Sequence, residues 1–449
     1  MYMKIVQSKE YIMLRRDFLK YTSVFAAMAL FPNTLKAATY TGPLWVFVQA
    51  SGGWDPTSLC DPKGYLDEDL DSNLNPTSTA MNKSFANADI AASTSAPAIK
   101  YAPIRGRDDN NVDYDFATFF DKYGSELLVV NGIDTQTNGH DAGRRYMMSG
   151  KLSEGYPAIS ALIAGISMPS SPLAFITGGG YDETFGVVAG TRLSNMNAIN
   201  ELAFVNKRNE TTTYVSESDF DRLTQARASR TKRTIEKQKL ESIKKLAQQY
   251  GLAHSGSNEL EKLVEFLPTD VTTHPDRNNT VFSQGRFAMA GYKAGLTSSV
   301  NIQIGGFDTH GNHDASHIPR LARLLKGVDL LKQEAENQGI SNDVIFVIGS
   351  EFGRTPGYNG GNGKDHWSVS SMMFMGKGIQ GGRVIGSSTH RHDANKLNAT
   401  TLVEDENGIN ITYAHINKAM RKLASIENNE LITQYYPLSG AIEDLNLFT

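Results

Sequence analysis

Short apolar runs punctuate the chain, each followed by Gly, Asp, Asn or Ser. They are Leu44–Val48, Leu127–Val130, Leu173–Ile176, Val300–Ile304, Val344–Ile348 and Met372–Met375. Several are rich in valine and isoleucine and none alternates cleanly with polar residues, the pattern of strands buried on both faces of a mainly parallel sheet. Between two of them, Ile318, Leu321, Leu324, Leu325, Val328 and Leu331 recur at helical spacing and form one apolar face. Val300–Ile304, that helix and Val344–Ile348 make a strand–helix–strand unit, so the chain reads as α/β with a central, mostly parallel sheet. Two stretches break the pattern. Residues 61–115 are polar, rich in Asp, Asn, Ser and Ala, and predict a long surface excursion. Residues 216–266 are highly charged, with widely spaced apolar positions such as Leu240, Ile243 and Leu246, and predict a solvent-exposed helical arm; the charged insertion as a whole is placed at about 204–280.

Ahead of the first run, Leu14-Arg15-Arg16-Asp17-Phe18-Leu19-Lys20 leads into an apolar stretch, Tyr21 to Phe31, and then Ala37-Ala38. A charged start, a short apolar core and small residues at the exit are the layout of a twin-arginine export signal. The stretch is too short to cross a hydrocarbon core, which needs about 20 helical residues. Residues 1–37 are therefore read as the signal and 38–449 as the folded domain, with a periplasmic or cell-envelope location. The twin-arginine export machinery carries proteins already folded, often around a metal or cofactor.

Composition narrows the chemistry. A formal net charge of −4 gives no footprint for nucleic acid or for a membrane surface. Cys60 is the only cysteine, which excludes an internal disulfide and a multi-cysteine zinc site. Any metal must be held by carboxylates, histidines and amides.

Ligands of open α/β sheets bind beyond the carboxyl ends of the strands. The segments next to the predicted strands are Gly52-Gly53-Trp54-Asp55, then Asn131-Gly132-Ile133-Asp134 with His140-Asp141, Gly305-Gly306-Phe307-Asp308-Thr309-His310, Gly349-Ser350-Glu351-Phe352-Gly353-Arg354 and, before the last run, Gly363-Lys364-Asp365-His366. Carboxylates and imidazoles beside glycines at several strand ends are what a hydrolytic metal site needs. Each has a plainer reading: Asp55 caps a helix starting at Pro56, Glu351 pairs with Arg354, and Asp308–His310 is a turn. Gly357–Lys364 lacks the Ser or Thr and the first Gly of a phosphate-binding loop and reads as a flexible loop. No Gly-x-Ser-x-Gly elbow occurs. His390, His392 and Asp393 read as surface residues; His313 and His317 start the next helix, where they could support ligands.

With these segments the chain resembles the family of exported bacterial proteins called domain of unknown function 1501, related to the alkaline phosphatase and sulfatase superfamily. The resemblance rests on Arg15-Arg16-Asp17-Phe18-Leu19, Gly52-Gly53-Trp54-Asp55, His140 before Gly150, Gly306-Phe307-Asp308-Thr309-His310, Ser350-Glu351-Phe352-Gly353-Arg354, Asp365-His366 and Gly381-Gly382. It implies a three-layer sandwich of the alkaline phosphatase/sulfatase type with a helical insertion, and one or two divalent metal ions (zinc, calcium or manganese). By the same resemblance Asp55 and Glu351 share one metal, Asp308, His310 and His366 hold the other, and the nucleophile falls near Gly139-His140. Two positions depart from the pattern. Phosphatases carry Asp-His where this chain has Glu351-Phe352, and family members carry Ser-His where it has Gly139-His140. A glycine cannot form a covalent ester, so a metal-activated water is the expected attacking group, with His140 and Arg354 as catalytic residues and Arg354 holding the anion. The expected function is an exported hydrolase of sulfate or phosphate esters, its substrate an anionic ester or glycan. The alternatives are a non-catalytic envelope binding protein and an assembly factor docked to a partner exported from the same operon.

Overall fold

The computed structural model describes residues 40–449 except 193–202, 209–210, 241–242, 245, 249, 252–256, 439 and 441. The proposed export signal lies outside the described residues. Every apolar run of the sequence forms a strand of one 8-stranded sheet. In chain order its strands are β1 (Leu44–Ala50), β2 (Leu128–Asp134), β3 (Phe175–Thr177), β4 (Gly190–Arg192), β5 (Ser299–Ile304), β6 (Val344–Gly349), β7 (Val369–Gly376) and β8 (Arg383–Ile385). Across the sheet they run β8-β2-β7-β6-β1-β5-β3-β4. All neighbours are parallel except around β7, which runs antiparallel to both β6 and β2.

Strand β1 shows why no alternation was visible. Its even positions, Leu44, Val46, Val48 and Ala50, enter one apolar core; its odd positions, Trp45 and Phe47, enter another on the opposite face. Helices α4 (Thr280–Lys293) and α5 (His313–Asn337) cover the first face, and α2 (Ile159–Ser167) and α6 (Tyr413–Leu423) the second. Both faces are thus sealed from water, giving a three-layer α/β arrangement. Helix α1 (His140–Ser149), which follows β2, supplies Tyr146, Met147 and Met148 to the second core.

The stretch 61–115 departs from its reading as a surface excursion. It carries few apolar residues, but Ile99, Tyr101, Ala102, Ile104 and Tyr114 all enter the first core. The glycine-rich stretch before His366 is likewise packed, with Tyr358 and Lys364 both buried.

The chain divides into two compact units; in the described part, one is Asn206–Ser255 and the other comprises Tyr40–Val205 and Gly256–Thr449. The smaller contains α3 (Glu217–Lys237), a 21-residue helix capped by Ser216, whose side chain accepts from the Asp219 N–H. Among the described residues, no helix is long and apolar enough to cross a membrane.

Candidate metal centre

Strands β6, β1 and β5 are adjacent and parallel, so their carboxyl ends open on one edge of the sheet. Glu351 follows β6, Gly52 to Asp55 follow β1, and Asp308 to His310 follow β5. His366 instead precedes β7. Because β7 is reversed, its amino end lies at that same edge. His140 arrives from the loop after β2 as the first residue of α1.

Close approach of backbones sets the scale of the site. Gly52 (φ 122) leaves its strand where a Cβ would strike the backbone N–H of Asp308, and a Cβ on Gly53 (φ 81) would strike the Phe352 ring. The Gly52 N–H donates to Glu351 Oε1 at 2.7 Å. Arg354, wholly buried, donates to the carbonyls of Gly52, Gly53, Phe307 and Lys364 and to Asp308 Oδ1 at 2.9 Å. Its donors are spent on fixing three strand-end loops. This corrects the expectation that Arg354 holds a substrate anion: the fork is sealed beneath the site.

Around Asp308, three imidazoles converge. His310 Nε2 and His366 Nε2 lie 3.0 and 3.1 Å from Asp308 Oδ1, and His140 Nε2 lies 3.4 Å from Oδ2. His310 Nε2 and His366 Nε2 are 3.1 Å from each other. Each ring is held from behind by an acceptor: His310 Nδ1 donates to Asp365 Oδ1 at 2.7 Å, His366 Nδ1 to the Asn138 carbonyl at 2.7 Å and His140 Nδ1 to Glu351 Oε1 at 3.1 Å. Those acceptors fix the tautomers. In each neutral ring the lone pair is then on Nε2, and these lone pairs face a carboxylate and one another with no donor from the rings between them. Such a convergence calls for a cation. A tetrahedral ion with bonds of about 2.0–2.1 Å sets its ligands roughly 3.3 Å apart, close to the spacing here. His140, Asp308 and His366 form the one group of three metal-capable side chains identified among the described residues. Phe352 packs at a tilt against His366 (ring centroids 4.4 Å) and His140 (5.1 Å).

The electrostatics match. Burial pushes the Asp308 carboxyl up, but the hydrogen bond from Arg354 and the Arg354 charge oppose it and, with the neighbouring imidazoles, hold it at about 2. The hydrogen bond to the buried Glu351 raises the His140 pKa against the opposing effect of burial.

Asp55 lies elsewhere. Both it and Lys364 are fully buried, with Lys364 Nζ 2.7 Å from Asp55 Oδ2. Thr57, Ser58 and His313 also donate to this carboxylate. Burial raises its pKa, but the Lys364 ammonium and His313 reverse the effect and keep it well below the usual range. The expectation that Asp55 and Glu351 share a metal is thereby corrected: Glu351 is committed to Gly52 and His140, and the Lys364 ammonium stands against Asp55 as its cation. Asp55 also caps the short turn Pro56–Ser58, as its plainer reading held.

The two networks meet at Thr309. Its hydroxyl donates to His313 Nδ1 (2.7 Å) and accepts from His317 Nδ1 (3.0 Å); His317 Nε2 accepts from the Asp55 N–H (2.8 Å). These rings lie one turn apart at the start of α5 and stack at 4.3 Å. They pin the turn that carries Asp308 and His310. Sequence reasoning gave no role to Lys364 or Asp365, although both stand in the quoted Gly363-Lys364-Asp365-His366 segment. His392, read as a surface residue, is wholly buried, its Nδ1 donating to the Arg354 carbonyl at 3.3 Å.

Burial lowers the pKa of His313, His317, His390 and His392. In the unfolded chain these rings take up protons near pH 6.5, so between pH 7 and about 5 the unfolded state binds more protons and stability falls. His140, shifted upward, opposes this: its contribution is complete below its unfolded value and is lost as pH rises through its folded value. Four rings outweigh one. Thermal unfolding followed by circular dichroism, with chelator present, is expected to give a lower Tm at about pH 5 than at about pH 7; an unchanged or higher Tm contradicts this account.

The family profile described as "Protein of unknown function (DUF1501)" matches residues 44–422. No curated protein matches the chain. Among solved structures, the PsFucS1 sulfatase from Pseudoalteromonas sp. is similar at 10% identity and TM-score 0.37, over 92% of this chain and 74% of that one. The lipoteichoic acid synthase LtaP from Listeria monocytogenes is similar at 8% identity and TM-score 0.32, over 87% of this chain and 74% of that one. The TAB5 alkaline phosphatase, in a structure with Mg bound, is similar at 9% identity and TM-score 0.30, over 75% of this chain and 92% of that one.

Proposed function

Starting from the premise that this chain belongs to the DUF1501 family of proteins of unknown function, we propose that it is a metal-dependent hydrolase of phosphate or sulfate esters. The observation that carries this reading is the meeting of Asp308, His310 and His366 through acceptor atoms alone, with His140 Nε2 set beside them 3.4 Å from Asp308 Oδ2. These residues fit a divalent ion. Imidazole-rich sets suit zinc and other first-row ions, whereas calcium takes oxygen ligands; the donor set therefore favours zinc or manganese over calcium. Lys364 beside Asp55 argues for one ion rather than two.

When bound, the ion supplies a Lewis acid that polarises the ester oxygen and acidifies water. The side chains do the rest. Asp365, the Asn138 carbonyl and Glu351 aim the three rings. His140 stands outside that ligand set and accepts or returns a proton at Nε2, with Glu351 stabilising the charged ring. An open cleft of about 470 Å³, lined by Thr79, Thr355, Tyr358, Asn359, Asp365 and Arg391, borders the Asp365–His310 pair and suits a polar, anionic ester or glycan. The Arg15-Arg16 motif supports export by the twin-arginine route to the periplasm or cell envelope.

Asp308→Asn is expected to lower kcat on aryl sulfates or phosphates by at least about 100-fold, since the amide loses the charge facing the ion. The check is a substrate panel assayed with both proteins after metal loading. Equal turnover by the two sinks the hydrolase reading. Gly139, which places no hydroxyl at the start of α1, favours a second reading as an envelope binding or assembly protein, beside an operon-encoded partner. That reading predicts metal binding without turnover.

A further inference from the structure

Helix α3 runs for 21 residues without burying one. A helix polar all round is ordinarily laced with ion pairs or covered by a partner. Among the described residues its one ion pair is Arg222–Asp219, at 3.5 Å in the first turns. Beyond it Arg227, Arg230, Lys232, Arg233 and Lys237 are exposed and have no carboxylate partner among the described residues. Residues 222–239 hold seven lysines and arginines against one glutamate, in a chain of net charge −4. At about 100° per residue, Arg230, Arg233 and Lys237 fall within an arc of roughly 60°, so the charge is a stripe.

Apolar side chains on and just after the helix also stand in water. Leu223 on α3 is 47% exposed, and Leu240 and Leu246, just beyond it in the chain, are 62% and 58% exposed. A soluble polyanion satisfies the cations and leaves the leucines wet. An anionic lipid surface takes both, with ammonium and guanidinium groups at the phosphates and aliphatic side chains at the acyl boundary. We infer that α3 and the residues after it dock this protein on an anionic bilayer surface. The helix lies on the membrane and does not cross it. The assignment rests on the smaller unit alone and is independent of the metal centre.

Sedimentation of the full chain with vesicles tests the inference. Vesicles of phosphatidylglycerol with phosphatidylcholine are expected to carry the protein down at about 0.15 M ionic strength, and pure phosphatidylcholine vesicles are not. The variant Arg230→Gln/Arg233→Gln/Lys237→Gln is expected to bind the anionic vesicles roughly 100-fold more weakly. Arg230→Lys/Arg233→Lys, which keeps the charge, is expected to bind as the parent does. All forms share one N-terminus, so the differences report on α3, and circular dichroism checks that the fold is kept. Equal binding by the glutamine variant and the parent overturns the inference. So does capture of the parent by heparin without vesicle binding, which would assign the stripe to an acidic glycan.

Discussion

Lys364→Met is expected to destabilise the protein by about 3–5 kcal/mol, the cost of leaving a buried carboxylate without its cation. Asp55 and Lys364 are both fully shielded from water and 2.7 Å apart. The variant keeps the length of the side chain but removes the ammonium that also donates to the Met81 carbonyl at 2.6 Å. Thr57, Ser58 and His313 still donate to Asp55, but the neutral donors leave the net charge uncompensated. Adding Asp55→Asn to Lys364→Met is expected to recover part of the loss, because the double variant buries no unpaired charge. Urea unfolding of the four proteins in one double-mutant cycle measures this. A Lys364→Met protein within about 1 kcal/mol of the parent would mean that Asp55 is not held as described.

The second large effect is on metal content. Purified protein is expected to hold one divalent ion per chain by elemental analysis. His310→Ala and His366→Ala are each expected to lose it, since each removes an Nε2 from the triangle with Asp308 Oδ1. Asp365→Asn leaves every proposed ligand in place but replaces the carboxylate that orients His310, so affinity is expected to fall about 10–100-fold. Asp55→Asn is expected to cost stability but leave metal content unchanged, which separates this arrangement from one in which Asp55 is a ligand. A parent protein without metal, and without affinity for zinc or manganese on titration, removes the basis of the proposed function.

The sheet was legible because its strands are buried on both faces. Leu44–Ala50 lies wholly in the interior, and a strand with water on neither side is apolar on both faces, here at every position but Gln49. Helix α5 was legible for the complementary reason, one apolar stripe at helical spacing. The stretch 61–115 was misread because so few of its side chains carry the packing: Met81, Ile99 and Ala102 are fully buried among polar neighbours, and polar loops do not advertise such anchors.

The sequence by itself determined the layers and the residue types of the site: carboxylates and histidines beside glycines at strand ends, and no cysteine ligands. Tertiary structure decided which of them meet. His366 reaches Asp308 only because β7 runs antiparallel, and direction leaves no mark on a run buried on both faces. Asp55 and Asp308 both follow parallel strands and look alike as sequence. One received the Lys364 ammonium in the interior, while the other received the Arg354 fork from beneath and three imidazole nitrogens where the sheet opens to solvent. Charge type is written in a residue, but the partner that neutralises it comes from another segment, 309 positions away for Asp55 and 46 for the Arg354 beside Asp308, and only folding brings the two together.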